Sequence, residues 1–136
     1  MLDLEPLKLD NDAQRLLLHS CCAPCSGDIM ERLLQSGIDY TIFFYNPNIA
    51  PVQEYEYRKE SVISFAKKKG IPFFDADYEH DVWLKRIRGL ENEPERGMRC
   101  SLCFDMRLER SALYAFENNF PVFLSIHYLP VSRTYL

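Results

Sequence analysis

Five cysteines fall in two tight groups, Cys21, Cys22 and Cys25 near the amino terminus and Cys100 with Cys103 far along the chain. Cys22 and Cys25 form a C-x-x-C with Cys21 directly before it, and Cys100 and Cys103 form a second. A secreted disulfide scaffold spreads an even set of cysteines along the chain. An odd set in two clusters reads instead as metal binding or redox chemistry in a reducing compartment. Four or five thiolates converging on one point suit zinc or an iron–sulfur cluster, both soft-ligand sites. A structural zinc site is one reading, although residues 26–99 separate the pairs, against roughly 15–20 residues in a compact zinc ribbon. Such a closed tetrahedral site has no use for a fifth thiol. A thioredoxin-like dithiol at Cys22-Ala23-Pro24-Cys25, between a strand and a helix, is another, and leaves Cys21, Cys100 and Cys103 without a role. A cluster with three or four thiolate ligands beside a further thiol or metal uses all five. Inert buried thiols are the plainest alternative, but random placement rarely makes two C-x-x-C pairs.

The elements that position these residues follow from periodicity. Residues 15–20 form an apolar run suited to a buried strand. Ser26 suits a helix N-cap, with Ile29, Met30, Leu33 and Leu34 at helical spacing and Gly37 as the stop. Residues 40–45 are β-branched and aromatic, a second strand broken by Asn46-Pro47-Asn48. Pro51 opens the next element, a helix over 53–69 with Tyr55, Val62, Phe65 and Ala66 on one face and Gly70 closing it. Residues 71–74 are a third strand and 81–88 a short helix. A polar loop over 89–97 leads to a helix over 99–118, apolar at Leu102, Met106, Leu113 and Phe116. Residues 120–126 make a last strand. Strands alternating with helices through short connections predict an α/β fold, a parallel sheet with right-handed crossover helices. Ligands of such sheets bind beyond the carboxyl ends of the strands, where the first cysteine group falls.

The 136 residues, 47% hydrophobic, are one domain's worth of chain. No apolar run approaches the roughly 20 residues of a membrane span. Residues 1–14 form an acidic leader (Asp3, Glu5, Asp10 and Asp12 against Lys8) without the basic start and apolar stretch of a signal peptide. A cytoplasmic location follows. A net charge of −4 argues against a generic nucleic-acid binder but leaves room for a local basic patch.

Several other residues have two readings each. Asn46 and Asn48 suit hydrogen bonds to a ribose or base, and equally a turn. Tyr55 suits base stacking or the core. Arg99, Arg107 and Arg110 share a helical face with Cys103, and with Arg96 suit phosphate contact or a solvated face paired to Asp105 and Glu109. Arg58 lies with Glu54 near the same rim. His19, Trp83, Phe43 and Phe44 read as core.

The motifs together resemble the non-cobalamin epoxyqueuosine reductases, the QueH family. The resemblance is carried by Leu17-Leu18-His19-Ser20-Cys21-Cys22-Ala23-Pro24-Cys25-Ser26, then Phe44-Tyr45-Asn46-Pro47-Asn48-Ile49 with Pro51, Glu54-Tyr55 and Arg58. A third block is Gly89-Leu90-Glu91-Asn92-Glu93-Pro94-Glu95-Arg96-Gly97, then Arg99-Cys100, Cys103-Phe104 and Arg107-Leu108. It implies a fold like the adenine nucleotide α-hydrolases (HUP-like). The implied activity is reduction of epoxyqueuosine to queuosine in tRNA, the last step of queuosine biosynthesis, driven by an electron donor yet to be identified. It also implies a [4Fe–4S] cluster, with Cys21, Cys22, Cys100 and Cys103 matching its ligands. Cys25 then takes an accessory catalytic role, on a second iron or toward the substrate. Asn46, Asn48, Tyr55, Arg58, Arg99 and Arg107 become the substrate-binding set. A zinc-stabilised nucleic-acid-binding module without catalysis, and a thioredoxin-like dithiol reductase, are the alternatives. The resemblance covers residues 15–123, and residues 124–136 read as a divergent tail where the family continues further. A truncation or a shift of reading frame accounts for such a tail, with an incomplete domain, an uncovered sheet edge and impaired activity as expected consequences.

Overall fold

The computed structural model describes residue 9 and residues 13–21, 23–90, 92 and 97–125, and for residues 23–26, 99 and 100 the backbone alone. Most of the leader, residues 126–136 of the tail, Cys22 and Arg96 therefore lie outside the described residues. The order is β1 (Arg15–His19), α1 (Ala23–Gln35), β2 (Asp39–Phe44), α2 (Val52–Lys69), β3 (Phe73–Asp75), α3 (His80–Arg86), α4 (Met98–Glu117) and β4 (Phe123–Ser125). The four strands pair in parallel in the order β3-β2-β1-β4. This is the α/β architecture that the alternation predicts.

Both faces of the sheet are covered, which is why β1 reads as an unbroken apolar run. Leu16 and Leu18, with Ile42 and Phe44, pack against Met30 and Leu33 of α1 and Tyr55, Val62 and Ala66 of α2. The alternate residues Leu17 and Phe43 turn to the other face, where Ala115 and Tyr114 of α4 cover them. The chain steps from β1 to β2 to β3, then returns across the sheet to place β4 beyond β1. Right-handed crossovers therefore put α1 and α2 on one face and α4 on the other. The reversal of strand order lies between β1 and β4, the place in such sheets where ligands generally bind, beyond the carboxyl ends.

Helix ends follow sequence chemistry closely. After α1, Gly37 takes φ +71°, its N–H reaching Leu34 O at 3.1 Å and Ile38 N–H reaching Leu33 O at 3.1 Å. After α2, Gly70 and Ile71 repeat the pattern with Lys67 and Ala66. Left-handed backbone at these two points needs glycine, which has no Cβ to clash.

Three expectations are corrected. α1 starts at Ala23, so Ser26 is inside the helix rather than its cap; Pro24 fits the first turn, where its missing N–H has no partner to lose. β3 starts at Phe73 rather than Ile71, because Ile71 N–H closes α2 on Ala66 O. The buried face of α4 carries Cys103, Met106, Ser111 and Ala115, whereas Leu113 is half exposed and Phe116 is 82% exposed. Among the described residues no helix is long and apolar enough to cross a membrane.

Candidate active site

In a parallel α/β sheet each strand ends at the rim where the next helix begins. Cys21 follows β1 at that rim, and Cys25 and Cys100 stand in the first turns of α1 and α4. Unpaired amide N–H groups at those helix starts favour thiolates. Cys103 comes one turn further along α4. Cys21 and Cys103 are 3% and 8% exposed, and neither is in a disulfide. The fold thus carries thiols from opposite ends of the sequence to one rim of one sheet. Among the described residues no group of three or more His, Cys, Asp or Glu side chains converges; Cys22 and the side chains of Cys25 and Cys100 lie outside them. Buried free thiols at the carboxyl rim fit a soft-metal group by the chemistry of their donor atoms.

Cys103 has a donor facing it. The indole Nε1–H of Trp83, in α3, points at Cys103 Sγ across 2.7 Å. Trp83 is half-buried at the rim rather than in the core as its apolar neighbours predict. Three rings stack in line behind it. Trp83 lies on His80 (centroids 5.5 Å), His80 on Tyr78 (5.3 Å) and Tyr78 on Tyr55 (3.8 Å). His80 Nδ1 donates to Pro47 O at 2.6 Å, and the Tyr78 hydroxyl donates to Ile49 O. The stack is therefore tied to the β2–α2 connection.

His19 sits at the end of β1, fully buried, opposite Ser125 in the β1–β4 register. Its Nε2 lies 2.7 Å from Tyr45 O, and a carbonyl only accepts, so Nε2 carries the proton. Nδ1 then accepts from the Ser125 hydroxyl at 3.1 Å. The ring joins the ends of β1, β2 and β4, which bears out its reading as a core histidine. Tyr45 continues the network, donating its hydroxyl to Glu79 Oε1 at 2.7 Å. Burial, then that bond, push the Tyr45 hydroxyl far above the usual tyrosine range. Glu79 takes a left-handed φ of 46°, unusual for a residue with a side chain.

The Asn46-Pro47-Asn48 segment forms the expected turn, closed by Ile49 N–H on Asn46 O at 3.3 Å. Asn46 is fully buried and its Nδ2 donates to Ser20 O at 3.0 Å, tying this turn to the residue before Cys21. Among the described residues, the buried Oδ1 atoms of Asn46 and Asn48 have no hydrogen-bond partner. An unsatisfied buried acceptor costs about 1–3 kcal/mol, so two in one turn mark a place for donors from solvent or ligand.

The remaining expected contacts divide. Tyr55 is a core residue, sandwiched between Phe44 and Tyr78, and a base would have to displace Tyr78 to stack on it. Arg58 pairs with Glu54 at 2.7 Å on the half-exposed first turns of α2. Arg107 Nε donates to Cys103 O at 3.2 Å. Arg110 lies over the Phe43 and Tyr45 rings, at 5.5 and 5.9 Å, and Glu109 pairs with Arg86 of α3. The side chain of Arg99 is outside the described set. Residues that sequence reasoning missed are Trp83, Tyr78, His80 and Ser125. Their roles come from α3 and β4 meeting distant segments, for which no local spacing signals; the nearest hint is the single tryptophan just before the second cysteine motif.

Comparison with known proteins gives the chain's family. The family model for epoxyqueuosine reductase QueH matches residues 16–134. The matched span includes 124–134, set apart above as a tail. A protein of Acinetobacter baylyi named epoxyqueuosine reductase QueH is 66% identical over 119 residues, 88% of this chain and 55% of the relative. Proteins of the same name from Histophilus somni and Haemophilus influenzae are 61% and 60% identical, over 93% and 95% of this chain and 51% and 52% of theirs. The chain spans about half the length of these curated relatives. On a family match that takes in both cysteine groups and the rim between them, the chain belongs to the epoxyqueuosine reductase QueH family.

Proposed function

We propose that this chain carries the redox site of an oxidoreductase that converts epoxyqueuosine in tRNA to queuosine. The observation that carries the proposal is the burial of two free thiols, Cys21 just after β1 and Cys103 near the start of α4, in a chain of this family. The reaction removes the epoxide oxygen as water and leaves an alkene, consuming two electrons and two protons. Cys21, Cys22, Cys100 and Cys103 would hold a [4Fe–4S] cluster, which when bound would supply one-electron transfer from an external donor. Cys25, in the first turn of α1, is the accessory catalytic thiol, able to hold a second iron or face the substrate. Asn46 and Asn48 offer their unpartnered amide oxygens to hydroxyl or N–H donors of the modified base. His19 holds the three strand ends at fixed spacing without taking part in proton transfer, since both ring nitrogens are already bonded. Arg58, Arg99 and Arg107 answer the phosphates of the tRNA, local cations on a chain of net charge −4. Such chemistry on tRNA with reduced thiols belongs in the cytoplasm.

The test is anaerobic loading of the chain with iron and sulfide, addition of a low-potential reductant and epoxyqueuosine-containing tRNA, and mass analysis of the nucleosides. Queuosine should accumulate at the expense of epoxyqueuosine. Untouched tRNA from a chain that has taken up iron and sulfide would reject the activity. Stoichiometric zinc with no uptake of iron would favour the zinc-stabilised module.

A further inference from the structure

We propose that Trp83 is a positioning residue of the redox site, its indole N–H donating to Cys103 Sγ so as to raise the reduction potential of an iron–sulfur group held there. The inference rests on the reading that Cys103 is a ligand. Its direction is fixed by chemistry: an indole nitrogen only donates, so the sulfur accepts. The contact, at a residue only 8% exposed, is largely shielded from competing water. The indole is also held before any metal binds. His80 lies flat against it, 24° from parallel, and is itself fixed by its Nδ1–H bond to Pro47 O. Tyr78 backs His80 at 19° and bonds Ile49 O, and Tyr55 roots the stack in the core. Side chains locked in this way set the orientation of the group they bond without reorganising when its charge changes.

The effect on potential follows from where the electron goes. Reduction adds negative charge shared by the ligating sulfurs. A fixed N–H dipole aimed at one of them stabilises the reduced state more than the oxidised one, so the potential rises. Removing the donor shifts the reduction equilibrium against the reduced state, by roughly tenfold for one hydrogen bond, or about 59 mV for one electron. The sign distinguishes this role from mere packing, because a loosened site has no reason to move the potential in step with donor strength.

Trp83 is the only tryptophan in the chain, which makes the test clean. The full chain, its Trp83→Phe variant and the chain grown on 4-fluorotryptophan are each loaded anaerobically with iron and sulfide and titrated spectroelectrochemically. Fluorine draws electrons from the ring and strengthens the N–H as a donor with little change of shape. Trp83→Phe should lower the midpoint by about the tenfold equivalent, and 4-fluorotryptophan should raise it. Should Trp83→Phe fail to fold or to take up iron, the fluorinated chain alone decides. A loaded wild-type chain whose midpoint is indifferent to these changes overturns the inference and leaves the proposed function standing. A wild-type chain that takes up no iron and sulfide overturns the reading beneath it.

Discussion

Replacing Asn46 by leucine separates stability from function at the rim. Asn46 is fully buried, donates to Ser20 O at 3.0 Å, and keeps an Oδ1 with no partner among the described residues. Leucine has nearly the same volume. The variant loses the hydrogen bond, worth about 1 kcal/mol net, and removes a desolvated acceptor that costs about 1–3 kcal/mol. Imperfect fit of a branched side chain takes back about 1 kcal/mol. Stability should therefore change by no more than about 1 kcal/mol in either direction, where truncating a well-packed buried side chain costs about 2–5 kcal/mol. Urea unfolding reads this as a small midpoint shift at constant slope. Function should suffer instead. Loss of a hydrogen bond to substrate of about 1.4–2.7 kcal/mol lowers kcat/KM roughly 10- to 100-fold in the nucleoside assay. Asn46→Asp keeps the acceptor, loses the donor to Ser20 and buries a charge, so it should cost clearly more stability than leucine. The reasoning is refuted by a leucine variant that loses more than about 3 kcal/mol, or that turns over at the wild-type rate.

Leu18→Ala empties a fully buried position between α1 and β2 and should cost about 2–5 kcal/mol in urea unfolding; a loss under 1 kcal/mol would contradict the two-faced core. Phe116→Asp, at an 82% exposed site on α4, should stay within about 0.5 kcal/mol of wild type, and a large loss would restore the amphipathic face predicted from spacing. Burial pushes the hydroxyls of Tyr40 and Tyr55 up to about 12, above the ordinary 10 of an unfolded chain. A raised folded-state value means that their contribution is complete below pH 10 and is lost as pH climbs to 12, at about 1.4 kcal/mol per pH unit per tyrosine. Urea midpoints should fall steeply over that window, and Tyr40→Phe should make the fall shallower; an unchanged slope would rule Tyr40 out as a source.

The sheet was legible because its strands are buried on both sides, so apolar runs at Leu16–Leu18 and Ile42–Phe44 stand out without knowledge of partners. Gly37 and Gly70 were legible because left-handed backbone has few alternatives. The face of α4 was not. Leu113 and Phe116 look like core by hydropathy, yet the helix meets the sheet through Ser111 and Ala115, small residues that permit close approach to Leu17 and Phe43. At the site, the two cysteine groups stood out by their spacing, and the Asn-Pro-Asn turn was visible as a turn. That Asn46 donates to Ser20, that Tyr55 is covered by Tyr78, and that Trp83 reaches Cys103 depend on segments far apart in sequence.

The central claim is that this rim is a redox site held by thiols from both cysteine groups. Iron and acid-labile sulfide content, read with the electron paramagnetic resonance of the dithionite-reduced chain, tests it most directly in wild type, Cys21→Ser and Cys103→Ser. A brown wild-type chain with iron and sulfide in equal amounts and a reduced-cluster signal is expected, with loss or alteration of both in each serine variant. A wild-type chain that binds zinc alone, or a signal that either serine variant leaves unchanged, would contradict it.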